Sequence, residues 1–206
     1  MHRTLKSSLI ALTLIASLPI AAHAQGFKST ISSNFHGPLK VEVILSEDLA
    51  HRANHLPKDL SQRGSTSRLN SAFAQNGHYG EKDINRLVER LESRILSQME
   101  KRGVATSPNA ATVLRITLTD AKPNRPTFRQ LSQEVGLSFS SISIGGAKME
   151  AEVLSADGTS LGTMEYSWYE NDIRDVHGSG TWSDAKRSID RFAKKASKNL
   201  AQSSPS

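Results

Sequence analysis

The sequence predicts an α+β domain, a mixed four- to five-stranded sheet with two main helices packed on one face. Three observations predict it. Residues Glu81 to Arg102 carry apolar side chains at helical spacing, several shorter stretches alternate apolar and polar residues, and a second helical stripe runs from Thr181 to about Ala201. The order strand, helix, strand, meander, helix makes one domain over residues 39–201.

Residues 1–24 have the three parts of a cleavable signal peptide: basic Arg3 and Lys6, an apolar run from Leu9 to Ala22, and the small-residue ending Ala22-His23-Ala24. The run is interrupted by Ser17 and Pro19 and falls short of the roughly 20 residues that span a bilayer, so no transmembrane anchor is expected after cleavage. The chain has no cysteine, which removes both the acylation residue of a lipoprotein and any disulfide. A periplasmic or secreted protein held together by its core alone is the economical reading.

An extended lead-in is expected over residues 25–38, rich in Ser, Gly and Lys. Lys40 to Leu45 (KVEVIL) reads as a strand. Residues 46–80 hold a short helical stretch near Glu47 to Asn54 and then a polar run, long for a loop inside a compact domain. In the long helix Ile84, Leu87, Val88, Leu91, Ile95 and Met99 fall on one face. Glu81 and Asp83 start it, Lys101 and Arg102 finish it, and Gly103 stops it.

Thr112 to Thr119 (TVLRITLT) alternates cleanly and reads as a half-buried strand, followed by a loop from Asp120 to Thr127 with two prolines. Leu137 to Ile144 is a weaker strand candidate. Lys148 to Leu154 and Leu161 to Tyr169 are better ones, joined through Asp157-Gly158, with Met164, Tyr166 and Trp168 on one face. Thr181 and Asp184 have capping-box spacing ahead of the stripe Ala185, Ile189, Phe192, Ala196 and Leu200, and residues 202–206 are expected to form a disordered tail.

Several of these segments carry a resemblance. Gly145-Gly146-Ala147 leading to Met149 and Glu150, the Asp157-Gly158 hairpin, and Trp182-Ser183-Asp184-Ala185 leading to Asp190-Arg191-Phe192-Ala193 resemble bacterial envelope proteins of a domain family without assigned function, many of them lipoproteins. The layout is also similar to small α/β envelope accessory domains, including assembly or activation factors for larger envelope machines. The resemblance covers about the last two-thirds of the mature chain and implies a binding or accessory role without catalytic residues. The absence of cysteine departs from the lipoprotein pattern.

Losing Arg3 and Lys6 with the leader lowers the formal charge from +6 to +4. That mild excess suits anionic envelope material such as lipopolysaccharide, acidic headgroups or wall polymers, and equally a plain solubilising surface. Nucleic acid is disfavoured, because basic residues are interspersed with acids and aromatics make up only 5% of the chain.

Two candidate sites follow from residue spacing. Lys122, Asn124 and Arg125 lie on the proline-stiffened loop, where a fixed backbone loses less entropy on engaging an anion or protein partner; a rigid turn would use the same prolines. Glu47, His51 and His55, four residues apart on a short helix, offer the alternative of a metal-dependent enzyme or metal-binding protein, since two imidazoles and a carboxylate on one face can share an ion. Glu170, Asp172 and Asp175 cluster without the order of a calcium loop. No Gly-x-Ser-x-Gly, cysteine nucleophile or phosphate-cradling loop is present, and no cofactor is expected.

The leading expectation is a non-enzymatic accessory protein that recognises another envelope protein or anionic envelope polymer through the loop from Asp120 to Thr127. The competing ones are the metal site and a structural envelope protein without a discrete ligand. For the export signal the outcome is direct. Mass spectrometry of the protein from an envelope fraction should find Gln25 at the N-terminus, and an intact Met1 or His2 would show an anchor misread as a leader.

Overall fold

The computed structural model describes residues 26–31, 35–55, 78–175 and 180–203. The expected signal peptide, most of the long polar loop and residues 204–206 lie outside them. In chain order the elements are β1 (Gly26–Ser29), β2 (Leu39–Leu45), α1 (Glu47–Asn54), α2 (Glu81–Glu100), β3 (Thr112–Lys122), α3 (Phe128–Gln133), β4 (Gly146–Leu154), β5 (Ser160–Tyr169) and α4 (Ser183–Ser203), with a short 3-10 turn at Ile173–Asp175.

The strands form one sheet in the order β1-β5-β4-β3-β2. β2 and β3 are parallel and the remaining pairs antiparallel. A parallel pair needs a long crossover, and the segment carrying α1 and α2 supplies it. Both long helices lie on the face formed by Leu114, Ile116, Leu118, Met149, Val153, Met164 and Tyr166.

The helices bury the stripes their spacing predicts. α2 buries Ile84, Leu87, Leu91, Ile95 and Met99, and α4 buries Ala185, Ile189, Phe192, Ala196 and Leu200 with Ala193 beside them. α2 ends in a Schellman motif: the Val104 amide donates to the Met99 carbonyl and the Gly103 amide to that of Glu100, each at 3.0 Å, while Val104 tucks into the core. Where the helices meet, Asp190 of α4 accepts from Arg90 at 2.7 Å and faces Arg94 at 3.2 Å.

β3 departs from simple alternation at one point. Leu118 faces Met149, yet Asp120 faces Lys148, so Thr119 is an extra residue in a β-bulge. Strict alternation would have put the Asp120 carboxylate among the apolar residues under the helices. The bulge moves it to the opposite face, and β3 continues to Lys122 where the sequence suggested a loop from Asp120.

Three further expectations change. The lead-in contributes an edge strand, with Phe27 opposite Tyr166. Leu137 to Ile144 forms no strand, because β4 is already paired on both sides by β3 and β5. Gln202 and Ser203, expected in the tail, extend α4 by a further half turn. The Asp157-Gly158 connection holds: the Asp157 carboxylate accepts from the Thr159 amide at 3.1 Å, and the Ser155 amide donates to the Thr159 carbonyl at 2.9 Å.

No described helix is long and apolar enough to cross a membrane. Stability rests on the stripe of α2. Leu91→Ala should cost about 2–5 kcal/mol through lost burial and the cavity left behind, whereas Glu92→Ala, on the exposed side, should stay within about 0.5 kcal/mol. Equal shifts in denaturant melts would mean that the helix docks through another face.

Candidate functional site

The three loop residues singled out in the sequence take separate roles. Asn124 is fully buried, which corrects the expectation that it is presented to a ligand. Its side-chain oxygen accepts from the Asp184 amide at 2.8 Å, and its amide nitrogen donates to the Asp184 carboxylate. Its backbone amide donates to the Thr181 carbonyl at 2.7 Å, and its carbonyl accepts from the Ser143 amide at 2.8 Å. Asn124 therefore caps the start of α4 from a distant part of the chain, using the chemistry expected of a local N-cap.

Gly145 explains itself against this residue. A Cβ there would lie 2.6 Å from the Asn124 amide nitrogen, so the glycine is the space that the buried amide occupies. Gly146 plays the same part on the open face of the sheet, where a Cβ would lie 2.5 Å from the Tyr169 ring.

Lys122 belongs to the last row of β3 and sits 5.0 Å from the centroid of the Tyr169 ring, a cation–π contact across Gly146. The Tyr169 hydroxyl donates to Asp120 at 2.5 Å, and Arg52 of α1 donates to the other Asp120 oxygen at 2.8 Å. Burial and then the Asp120 charge push the Tyr169 phenol well above its usual range, so it stays a donor. This group of four ties α1 to the end of the sheet. With both its oxygens engaged, Asp120 is an anchor rather than a free base.

Arg125 points its guanidinium towards the carbonyls of Phe139 and Ser140, each at 3.4 Å. It thereby organises the crossover between β3 and β4. That crossover holds α3, which begins with a capping box: the Thr127 hydroxyl accepts from the Gln130 amide at 3.2 Å while the Gln130 side chain accepts from the Thr127 amide at 2.9 Å.

Beyond this fixed base the crossover exposes large apolar side chains. Phe128 is 79% exposed, Val135 99% and Phe139 67%, and the two phenyl rings meet edge to face at 5.7 Å. Their neighbours Arg125 and Arg129 supply positive charge. Exposed apolar groups gathered in one segment mark an interaction surface more often than a solvated loop.

The metal alternative fares differently. His51 and His55 stack face to face, centroids 4.0 Å apart and 3° from parallel, and the His55 Nδ1 bonds to the His51 carbonyl at 3.0 Å. Lone pairs in parallel ring planes run side by side instead of converging on one ion. Glu47 is exposed in the first turn of α1. Among the described residues no group of three His, Asp or Glu side chains is placed to hold a metal. Asp172, of the acidic cluster, is gripped by Arg174 at 2.6 Å, which holds its carboxyl below the usual range.

No family model matches the sequence, and no curated protein matches it. Two solved structures are similar in chain path. One is the PelC dodecamer from Paraburkholderia phytofirmans, with 10% identity over 82% of this chain and 96% of that one and a TM-score of 0.40. The other is a point variant of the same dodecamer, with 11% identity over 82% and 94% of the two chains and a TM-score of 0.38.

The exposed patch was missed in the sequence for a local reason. Phe139 alternates with serines in the segment read as a weak strand, and Phe128 falls at helical spacing with Leu131 and Val135, so the sequence pattern pointed to burial and hid the exposed patch. Thr127 and Gln130 did carry a readable signal, the capping-box spacing of α3, masked by the prolines before them.

The buried and exposed members of the loop should separate in stability. Asn124→Ala takes a donor from the buried Asp184 carboxylate and an acceptor from the Asp184 backbone amide, and should cost about 2–3 kcal/mol. Arg125→Ala, whose contacts are long, should cost within about 0.5 kcal/mol. Denaturant melts decide it, and equal small losses would deny Asn124 its anchoring role.

Proposed function

We propose that this protein is an exported, non-enzymatic accessory protein that docks onto another protein of the cell envelope through the crossover between β3 and β4. The apolar anchor is Phe128, Val135 and Phe139, and the rim is Arg125 and Arg129. The observation that carries this reading is the exposure of those three apolar side chains in one segment. Composition supports it. Residues 123–145 contain two Phe and two Arg, no Lys, no Asp, and Glu134 as the lone acid. Protein interfaces are enriched in aromatics and Arg and depleted in Lys, Glu and Asp, the reverse of a loop chosen for solubility.

Export rests on the leader, and the envelope setting on the leader together with the resemblance of residues 145–193. The mild positive charge adds attraction to acidic partners without specifying one.

A photoreactive aromatic residue at Phe139 should capture one envelope protein in living cells, and the same residue at Leu96, exposed on α2, should not. Phe128→Ser with Val135→Ser should abolish the capture while shifting the melting temperature by only a few degrees. Equal capture from both positions would overturn the reading. Binding to anionic polymer that survives the serine variants but is lost on Lys122→Glu with Arg125→Glu would replace it with a purely electrostatic one.

A further inference from the structure

α4 turns one side to the sheet and the other to water. The outward side carries Arg187, Arg191, Lys194, Lys195 and Lys198, at steps that keep all five within about 100° around the helix axis. All are exposed except Arg187, which is half-buried. The whole helix holds six cations against Asp184 and Asp190, a net +4. That equals the formal charge of the chain from Gln25 onward, so every other residue together sums to zero and the basic excess resides in this one helix.

Nothing inside the fold accounts for the stripe. Asp184 is buried against Asn124, and Asp190 turns to Arg90 and Arg94 of α2. Arg187 comes within 3.6 Å of Asp184 and 3.8 Å of Glu170, but among the described residues no carboxylate pairs with Arg191, Lys194, Lys195 or Lys198. The helix dipole favours cations in the last turn, and the last turn of α4 has none. Like charges three and four residues apart repel, so folding alone loses by gathering them. One end of the stripe is also held in place. The guanidinium of Arg191 lies 4.3 Å, and that of Arg187 5.8 Å, from the centroid of the Trp168 ring on β5, and cation–π attraction fixes both. A group already fixed loses less entropy when a ligand engages it.

The shape of the charge selects the occupant. The stripe is narrow and about 16 Å long, with a cation at every turn. A flat anionic membrane resting on α4 would also meet the outward side of α2, which packs beside it in the same layer and sets four exposed glutamates, Glu81, Glu89, Glu92 and Glu100, against three exposed cations. No large exposed apolar side chain lies on α4 to enter a bilayer. A single chain with a negative charge in each unit meets neither obstacle. We propose that the outward side of α4 is a docking surface for a linear acidic polysaccharide, laid along the helix with about one anionic group to each turn. In the envelope, where the leader is expected to send this protein, acidic polymers of this form are polysaccharides. The surface is separate from the crossover and does not depend on it.

Titration of the mature protein with polygalacturonate, a linear chain with a carboxylate on every sugar, tests the surface. Binding should saturate at low ionic strength and weaken steeply as salt rises through about 0.1 M. Lys194→Gln with Lys195→Gln and Lys198→Gln should lower the affinity on the order of tenfold or more, while the melting temperature holds or rises as the repulsion is relieved. Lys82→Gln with Arg86→Gln and Lys101→Gln removes the same charge from the neighbourhood of α2 and should weaken binding only slightly. Equal losses in the two triple variants reduce the effect to net charge and overturn the proposal. Failure of the natural protein to bind polygalacturonate overturns it as well, and so does tighter binding to phosphatidylglycerol vesicles, which would make α4 a membrane-facing surface. Phe128→Ser with Val135→Ser should leave polymer binding unchanged, so that this surface and the crossover stand or fall separately.

Discussion

The meeting of Asn124 with the first turn of α4 is the constraint on which the rest of the architecture turns. An α-helix begins with backbone amides that have no partner of their own, and α4 begins in the interior. Asp184 is there fully buried, a carboxylate in a place where an isolated charge is untenable. The helix dipole favours it, Arg187 approaches it at 3.6 Å, and Asn124 both donates to it and accepts from its amide. The same asparagine holds Thr181 and Ser143 through its backbone. One residue thus joins the exit of β3, the approach to β4 and the start of α4, and through α4 it fixes the layer that covers the sheet.

The opposite face of the sheet obeys a different rule. It faces water, and its strands carry Lys40, Glu42, Arg115, Lys148, Glu150 and Glu165 in paired rows, with Lys148 2.7 Å from Glu150 and 3.3 Å from Glu165. Such exposed pairs add little stability. Their value is in register, since a slip of one residue would carry every charge into the core. The shallow trough on this face, lined by Arg115, Thr117, Glu150, Glu152, Thr163 and Glu165, sets three carboxylates against one guanidinium. The bulge at Thr119 belongs to the same logic, for it keeps Asp120 on the wet side where Arg52 and Tyr169 meet it.

What the sequence made legible is whatever repeats locally. The stripes of α2 and α4 and the alternation of β3, β4 and β5 are periodic over many residues, and each lies where its period places it. Asn124 and Gly145 were opaque because the contacts that explain them lie up to 60 residues away, and no local period encodes a tertiary cap. The histidines of α1 misled for the converse reason. Spacing of four places His51 and His55 on one side of a helix, but His55 falls at the helix end, where its ring turns back onto the His51 carbonyl and stacks.

The crossover between β3 and β4 shows how such a chain divides its work. β4 and β5, also antiparallel neighbours, are joined by the five residues 155–159, so sheet geometry does not require more. Yet residues 123–145 separate β3 from β4. At the base of this insertion Pro123, Asn124, Pro126, Thr127, Gln130, Ser143 and Gly145 are all buried, and the fold depends on them. At its tip Phe128, Val135 and Phe139 stand in water, where folding gains nothing from them. An insertion longer than the topology requires, rigid where it joins the core and apolar where it leaves it, has the form that the proposed docking role asks of it.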